Sequence, residues 1–447
     1  MVNDQKIVVR FPPSPTGLLH MGNARTLLFN YLFAKQNKGQ IVFRLEDTDK
    51  ERSKEEYSQD IIDNLKWLGI EPDSFVAIRQ SERGAIYKKY LEKMISEDKA
   101  YFSKERVVEK GQRDQVIRFK NPNKKIVFND LIRGDIEFDT TELKDFVIAK
   151  SLEEPIYHLA VVVDDYEMGV SHIIRGDDGI SNTPRQSLIQ EAIGAPRPIY
   201  AHLPLILAQD KTKLSKRKHG EKVSVTFYRN AGYLPEAVIN FLALIGWNPG
   251  DEREIFSKEE LVKEFSMDKV QKGGGIFNVE RLDWYNGQYI RKIETEKLAK
   301  MLLEHLPEDW KKKAIGNYPY WLKIVDLEKN RITKLSDIKE GIGYFFNEPE
   351  YAKEMLLWKK EPNIEKTKKH LQEVVKLVSA LSENEFNQEK IKETVWNYAD
   401  KEGKGNVLWP MRVALTGMDK SPDPFIVAGV LGKNKTIQRL NNAISKI

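Results

Sequence analysis

The sequence predicts an α/β fold: a parallel-sheet domain interrupted by an α+β insertion and followed by all-helical C-terminal domains. Strand, helix and strand patterns succeed one another within about 40 residues near the N-terminus, which is a βαβ unit and implies a parallel sheet. From about Gln80 to Lys150 the pattern turns mixed, and after Lys218 helical periodicity dominates.

Lys6–Phe11 (KIVVRF) reads as a short buried strand, and Pro12, Pro13, Pro15 and Gly17 then break regular structure. A helix is expected from near His20, because Ala24, Leu27, Leu28, Tyr31 and Leu32 fall on one face, and Gly39 ends it. Ile41–Leu45 returns to strand, and Tyr57, Ile61, Leu65 and Leu68 mark a second amphipathic helix. Strands are expected at Gln115–Phe119 and Lys125–Phe128 inside the insertion, then at Val161–Val163, His172–Ile174 and Tyr200–Leu207 as the sheet resumes. Farther on, Leu234, Val238, Phe241, Leu242 and Ile245 share a helix face, as do Leu371, Val374, Val375 and Val378. Gly273-Gly274-Gly275 reads as a hinge.

A chain of 447 residues exceeds one compact core, and domains of roughly 100 to 200 residues give two to four of them. Hydrophobic residues make up 40% and charged residues 31%, and no apolar run approaches the ~20 residues of a membrane span. The opening MVNDQKIVVRF enters a strand pattern without a targeting signature, so no membrane and a cytoplasmic location are expected. The absence of cysteine excludes disulfides, thiolate catalysis and cysteine-ligated zinc. With 72 basic and 67 acidic residues, the net charge of +5 does not by itself announce a nucleic-acid partner. Basic clusters occur at Lys211–Lys218 and Lys359–Lys369; most such runs are solvated faces, and the second reads as one.

Two stretches suggest phosphate chemistry. Pro13–Gly22 lies at the carboxyl end of the first strand and opens a helix whose free N–H groups and dipole favour a phosphate. His20 could stabilise charge there and Gly22 permits close approach, although a histidine at a helix start can equally be a cap. Asp210–Lys218 (DKTKLSKRK) is a dense cationic loop after another strand of that sheet, suited to follow a departing pyrophosphate. Each loop is weak alone; together they form the two halves of an adenylating site.

Pro13–Asn23 resembles the HIGH region of class I aminoacyl-tRNA synthetases, and Lys213–Arg217 (KLSKR) their KMSKS loop. RFPPSPTG, RLEDTD (Arg44–Asp49), FNDLIRG (Phe128–Gly134), YHLAVVVDD (Tyr157–Asp165), MGVSHIIRGDD (Met168–Asp178), SNTPRQ (Ser181–Gln186), GYLPEAVINFLALIGW (Gly232–Trp247) and MRVALTG (Met411–Gly417) resemble the bacterial glutamyl-tRNA synthetases over essentially the whole chain. That resemblance implies a Rossmann-type catalytic domain at 1–80 and 160–220, an inserted acceptor-stem-binding domain at 81–159, a helical stem-contact domain at 221–289 and a helical anticodon-binding region at 290–447.

It further implies catalysis by His20, Lys213 and Lys216, with ATP held by Pro13, Gly17, His20, Gly22, Asn23, Lys213, Leu214, Ser215, Lys216 and Arg217. Glutamate would be held by Arg10 at its γ-carboxylate, Glu46 at its ammonium group, and Arg175 at its α-carboxylate or as a support of the pocket, with Ser14 and Tyr157 supplying neutral hydrogen bonds. ATP with Mg²⁺, L-glutamate and tRNA(Glu) are the implied reactants, tRNA(Gln) is a second candidate acceptor, and a monomer is expected. In such enzymes tRNA is generally needed even for the first step. Apart from the resemblance, Arg10 and Arg44 read as surface partners of Glu46 or Asp47, and Tyr157 as core. Trp310, Trp321, Trp358 and Trp396 can stack bases or fill a core.

The chain departs from the family at three places. The stretch Tyr101–Val116 is shortened and lacks the cysteines that bind zinc in some relatives, so no zinc is expected. Gly179 stands where relatives carry histidine or tryptophan, and Ile156 where they carry threonine, so the pocket wall is expected to be reshaped. The second histidine of the HIGH pattern is Asn23, as in other glutamate enzymes. A catalytically silent paralogue would not need His20, Glu46, Lys213 and Lys216 together, and a smaller nucleotidyltransferase would lack the long helical C-terminal region.

Overall fold

The computed structural model describes residues 6–75, 78–105 and 114–447, so 106–113 of the shortened stretch lie outside the described residues. Its chain divides into two compact units, 1–286 and 287–447.

The first unit opens with β1 (Val8–Phe11), α1 (Met21–Gln36), β2 (Gln40–Leu45), α2 (Glu55–Leu68) and β3 (Ile78–Arg79), the three strands pairing in parallel. The insertion supplies α3 (Gly84–Ser96), β4 (Ala100–Lys104), β5 (Gln115–Phe119), the hairpin β6 (Lys125–Asp130) and β7 (Gly134–Asp139), then β8 (Phe146–Ser151) and β9 (Glu154–Pro155). There β4, β5, β8 and β9 form an antiparallel sheet. After α4 (Tyr157–Glu167) the parallel sheet resumes with β10 (His172–Gly176), α5 (Thr183–Ile193) and β11 (Ile199–Leu203). Then follow β12 (Ile206–Leu207), α6 (Lys216–His219), α7 (Val225–Asn230), α8 (Pro235–Leu244), α9 (Lys258–Glu264), β13 (Gly275–Ile276) and α10 (Val279–Lys292).

The two parallel ladders meet where Val8 N–H donates to Ser171 Oγ at 2.8 Å and Ser171 N–H donates to the Val8 carbonyl at 2.9 Å. From β1 the chain winds outward to β2 and β3, and on its return to β10 and β11 on the other side. The carboxyl ends of β1 and β10 therefore flank a topological switch point, where a parallel sheet opens a crevice.

Four expectations need correction. Val161–Val163 lies in α4, a helix, because Leu159 to Asp165 are buried on every side; a helix buried all round loses its polar stripe and reads as a strand. Tyr200–Leu207 is two strands, since Pro204 has no N–H to continue the ladder. The β6–β7 hairpin, expected inside a separate insertion, joins the parallel sheet through Tyr200 and Asp130. The glycine run is a close-packing site: a Cβ on Gly274 would stand 2.8 Å from Leu207 Cδ1, and one on Gly275 2.7 Å from Ile245 Cγ2, and β13 pairs with β12. These glycines bring backbones together instead of forming a hinge.

The second unit is helical, its longest members being Ile364–Ser379, Gln388–Glu402, Lys404–Thr416 and Lys433–Lys446. Trp321 is buried with its indole N–H on the Ala299 carbonyl at 3.1 Å, Trp310 stacks on Phe346, and Trp358 packs on Trp409. Trp396 carries the ammonium groups of Lys392 and Lys404 over its ring. In the basic cluster Lys359–Lys369, Lys366 pairs with Glu361.

Candidate active site

His20 is the N-cap of α1, and its Nδ1 accepts the Gly22 N–H at 2.9 Å. Accepting there forces the imidazole proton onto Nε2, leaving a neutral donor. Burial, assisted by Lys213 and His219, lowers the His20 pKa to about 4, so the ring stays neutral at physiological pH. Opposite it stand Lys213, in the loop after β12, and Lys216, the first residue of α6. Val225 N–H donates to the Leu19 carbonyl at 2.9 Å, tying the chain beyond that loop to the start of α1. His219 folds back onto Ser215, its Nδ1 lying 3.0 Å from the Ser215 carbonyl oxygen and 3.3 Å from the Ser215 nitrogen.

A cleft of about 380 Å³ lies between these segments, lined by His20, Gly22, Asn23, Lys213, Leu214, Ser215 and Lys216 among others. Pro13, Gly17 and Arg217 do not line it; Pro13 instead accepts the Glu46 N–H at 3.0 Å, and a Cβ on Gly17 would lie 3.9 Å from Lys216 Nζ. Arg25, Thr26, Asp178 and Pro204 also line the cleft without having been singled out in the sequence. The helical spacing of Gly22, Arg25 and Thr26 on one face of α1 could have found two of them. Arg25 donates to the carbonyls of Ile245 and Pro204, and Asp178 pairs with Lys213 at 3.0 Å.

Beside the cleft, the switch point is floored with charge. Arg44 is fully buried and pairs with Asp165 at 2.5 Å and Glu46 at 3.1 Å, and these carboxylates hold its guanidinium charged despite burial. Asp164, next in the helix, accepts from Gln80, Arg83 and Tyr87. Arg10, from β1, donates from Nη1 to the Ile174 carbonyl at 3.3 Å, and its buried Nε lies 3.5 Å from Asp165 without a hydrogen-bond partner among the described residues. Burial pushes the Glu46 carboxyl upward against the pull of Arg44 and Arg10. Arg10 and Arg44 are thus ion-paired as read from the sequence, but in the interior and chiefly through Asp165. Asp47 pairs with Arg79 at 3.7 Å.

Arg175 makes four hydrogen bonds, all to neutral acceptors: His202 Nε2 at 3.1 Å, Gln186 Oε1 at 2.8 Å, the Gly179 carbonyl at 2.9 Å and Thr183 Oγ1 at 2.8 Å. Burial lowers its pKa, and among the described residues no carboxylate pairs with it to offset that. Tyr157 is 44% exposed in the first turn of α4, so the core reading of that residue is wrong. Ser14 is exposed. Ile156 is the N-cap of α4 and offers it no side-chain hydrogen bond.

Residues 6–110 and 102–284 match the family model described as the catalytic domain of class I tRNA synthetases (E and Q), and residues 297–444 match an anticodon binding domain. The chain belongs to the glutamate–tRNA ligases of class I. It is 39% identical to glutamate–tRNA ligase 1 of Syntrophomonas wolfei over 99% of this chain and 97% of that one. A second relative, glutamate–tRNA ligase 1 of Caldanaerobacter subterraneus, is also 39% identical, with 99% and 98% covered. Among solved structures, a glutamate tRNA ligase from Elizabethkingia meningosepticum in complex with its amino acid superposes with a TM-score of 0.86 at 34% identity, covering 98% of this chain and 99% of that one. The family accounts for the order of the elements: a parallel-sheet catalytic domain, then a helical region matching an anticodon binding domain.

Proposed function

We propose that this chain activates L-glutamate with ATP to give glutamyl-adenylate and pyrophosphate, then transfers glutamate to the 3′-terminal adenosine of tRNA(Glu). The observation that carries this reading is the pairing of a cationic cleft with a neighbouring floor on which Arg175 is buried without a carboxylate in contact. The uncompensated charge of Arg175 adds to that of Arg10, the group placed on the side chain below, and a pocket with this excess positive charge favours an anionic side chain over a neutral amide. In the proposed complex Arg10 takes the γ-carboxylate, Glu46 the ammonium group, and Arg175, already held by four neutral acceptors, supports the pocket from below. Ser14 and Tyr157 complete the rim.

The glutamate α-carboxylate attacks the α-phosphate as the bond to pyrophosphate breaks. His20 donates from Nε2 to the α-phosphate oxygens, while Lys213 and Lys216 follow the charge on the departing pyrophosphate. Gly22, Asn23, Leu214 and Ser215 shape the cleft around ATP. Asp178 is the single carboxylate lining that cleft and is paired with Lys213, and among the described residues no group of three His, Cys, Asp or Glu could hold a metal. The lining fits a polyphosphate and does not fit a protein-held Mg²⁺, which we assign to the ATP substrate.

The working form is read as a cytoplasmic monomer; no helix of the described residues is long and apolar enough to cross a membrane. ATP–pyrophosphate exchange with glutamate, run with and without tRNA, tests the proposal. Absence of exchange in the presence of cognate tRNA refutes it, and charging of purified tRNA(Glu) and tRNA(Gln) sets the range of acceptors.

A further inference from the structure

Arg175 is held from behind by a buried chain of polar groups that reaches into the β6–β7 hairpin. Its Nε–H donates to His202 Nε2 at 3.1 Å, so that nitrogen must be the unprotonated one and the ring proton sits on Nδ1. Nδ1 lies 2.6 Å from Asp130 Oδ2. Asp130, the last residue of β6, also accepts the backbone N–H groups of Ile132 at 3.0 Å, Arg133 at 2.9 Å and His202 at 3.1 Å. His202 is fully buried and Asp130 nearly so, and neither lines the cleft.

Gly179 closes the arrangement from the other side. A Cβ there would stand 2.5 Å from Arg175 Nε and 2.7 Å from its Cδ. Its backbone is not in the left-handed region, so the missing side chain serves space and not conformation. With any larger residue at 179, the guanidinium could not bond His202, Gln186, Thr183 and the Gly179 carbonyl at once.

We infer that His202 is a positioning residue for glutamate recognition: locked as the Nδ1–H tautomer by Asp130, it fixes Arg175 in an orientation that Gly179 alone leaves room for. The β6–β7 hairpin, through Asp130, thereby sets a group in the amino-acid pocket. This inference rests on the proposed glutamate activation and goes beyond it in naming what aims the pocket.

The test is tRNA-dependent ATP–pyrophosphate exchange by the full chain and three variants, with KM for glutamate and for ATP measured separately and folding followed by thermal denaturation. His202→Phe keeps the ring and removes both hydrogen bonds; about a tenfold or larger rise in glutamate KM is expected, with ATP KM within about twofold. His202→Gln, which places an acceptor near the position of Nε2, should recover most of that loss. Gly179→Ala, which touches neither His202 nor Asp130, should raise glutamate KM in the same selective way by displacing Arg175. If His202→Phe fails to fold, the other two variants decide. A glutamate KM unchanged in folded His202→Phe or in Gly179→Ala, or equal loss toward both substrates, overturns the inference. Absence of glutamate-dependent exchange in the unmodified chain would instead refute the proposed function.

Discussion

His20 serves α1 as a cap and is assigned to the phosphate as a donor, and these two roles can be separated. Replacement by alanine removes both: the lost cap costs about 0.5–2 kcal/mol of stability. Loss of a donor aimed at developing charge costs about 3 kcal/mol, or roughly a hundredfold in kcat. Replacement by asparagine restores the cap, because a short amide accepts the Gly22 N–H, yet it cannot reach the phosphate. The expected result is near-normal thermal stability for His20→Asn with an exchange rate as low as that of His20→Ala.

Protonation supplies a second readout. The native ring titrates at about 4 against 6.5 for the free side chain, so between those values the unfolded chain binds a proton that the native chain refuses. Stability is therefore unaffected above pH 6.5 and falls as the pH drops from 6.5 toward 4, by about 3 kcal/mol in total. The exchange rate should show no His20 limb between pH 5.5 and 8. An imidazole resonance assigned to His20 that titrates near 6.5, or a His20→Asn variant with wild-type exchange, would contradict the neutral-donor role.

Arg10→Gln should lower kcat/KM for glutamate by about a hundredfold or more while tRNA affinity stays within about twofold, measured by exchange kinetics and filter binding. Asp178→Asn frees Lys213 from an exposed ion pair worth about 0.2–1 kcal/mol, so ATP KM should fall by no more than about fivefold with the melting temperature unchanged. Gly275→Ala pushes a methyl group against Ile245 and should destabilise the first unit by about 1–3 kcal/mol in urea titration; an unchanged midpoint would disprove the close-packing role.

The legible parts of the fold were short apolar runs bounded by loop residues, and elements with one wet face. Lys6–Phe11, the helix from His20 and Ile41–Leu45 emerge as β1, α1 and β2, and Gln115–Phe119 is β5 to the residue. Where burial is complete, periodicity vanishes, which is why α4 resembled a strand. The lining of the cleft was largely legible because most of its residues cluster in two short segments. The charged floor was not, because Arg44 finds Asp165 across 121 residues and Arg175 meets His202 only through the pairing of β10 with β11. Asp165 and His202 gave no local signal of their own. Gly179 did, as a departure from the family, although its meaning needed the position of Arg175.

The two halves of the site differ in how water and salt reach them. Lys213 and its partner Asp178 have side chains 55% and 66% exposed, whereas Arg44 and Asp165 are sealed at 0% and 5%. Mobile ions screen the first set within a Debye length of about 8 Å at physiological ionic strength and scarcely enter the second. On the proposed assignment, nucleotide capture is therefore open to the ionic composition of the surroundings, and amino-acid selection is insulated from it. A change in cellular salt would slow this enzyme without making it less discriminating.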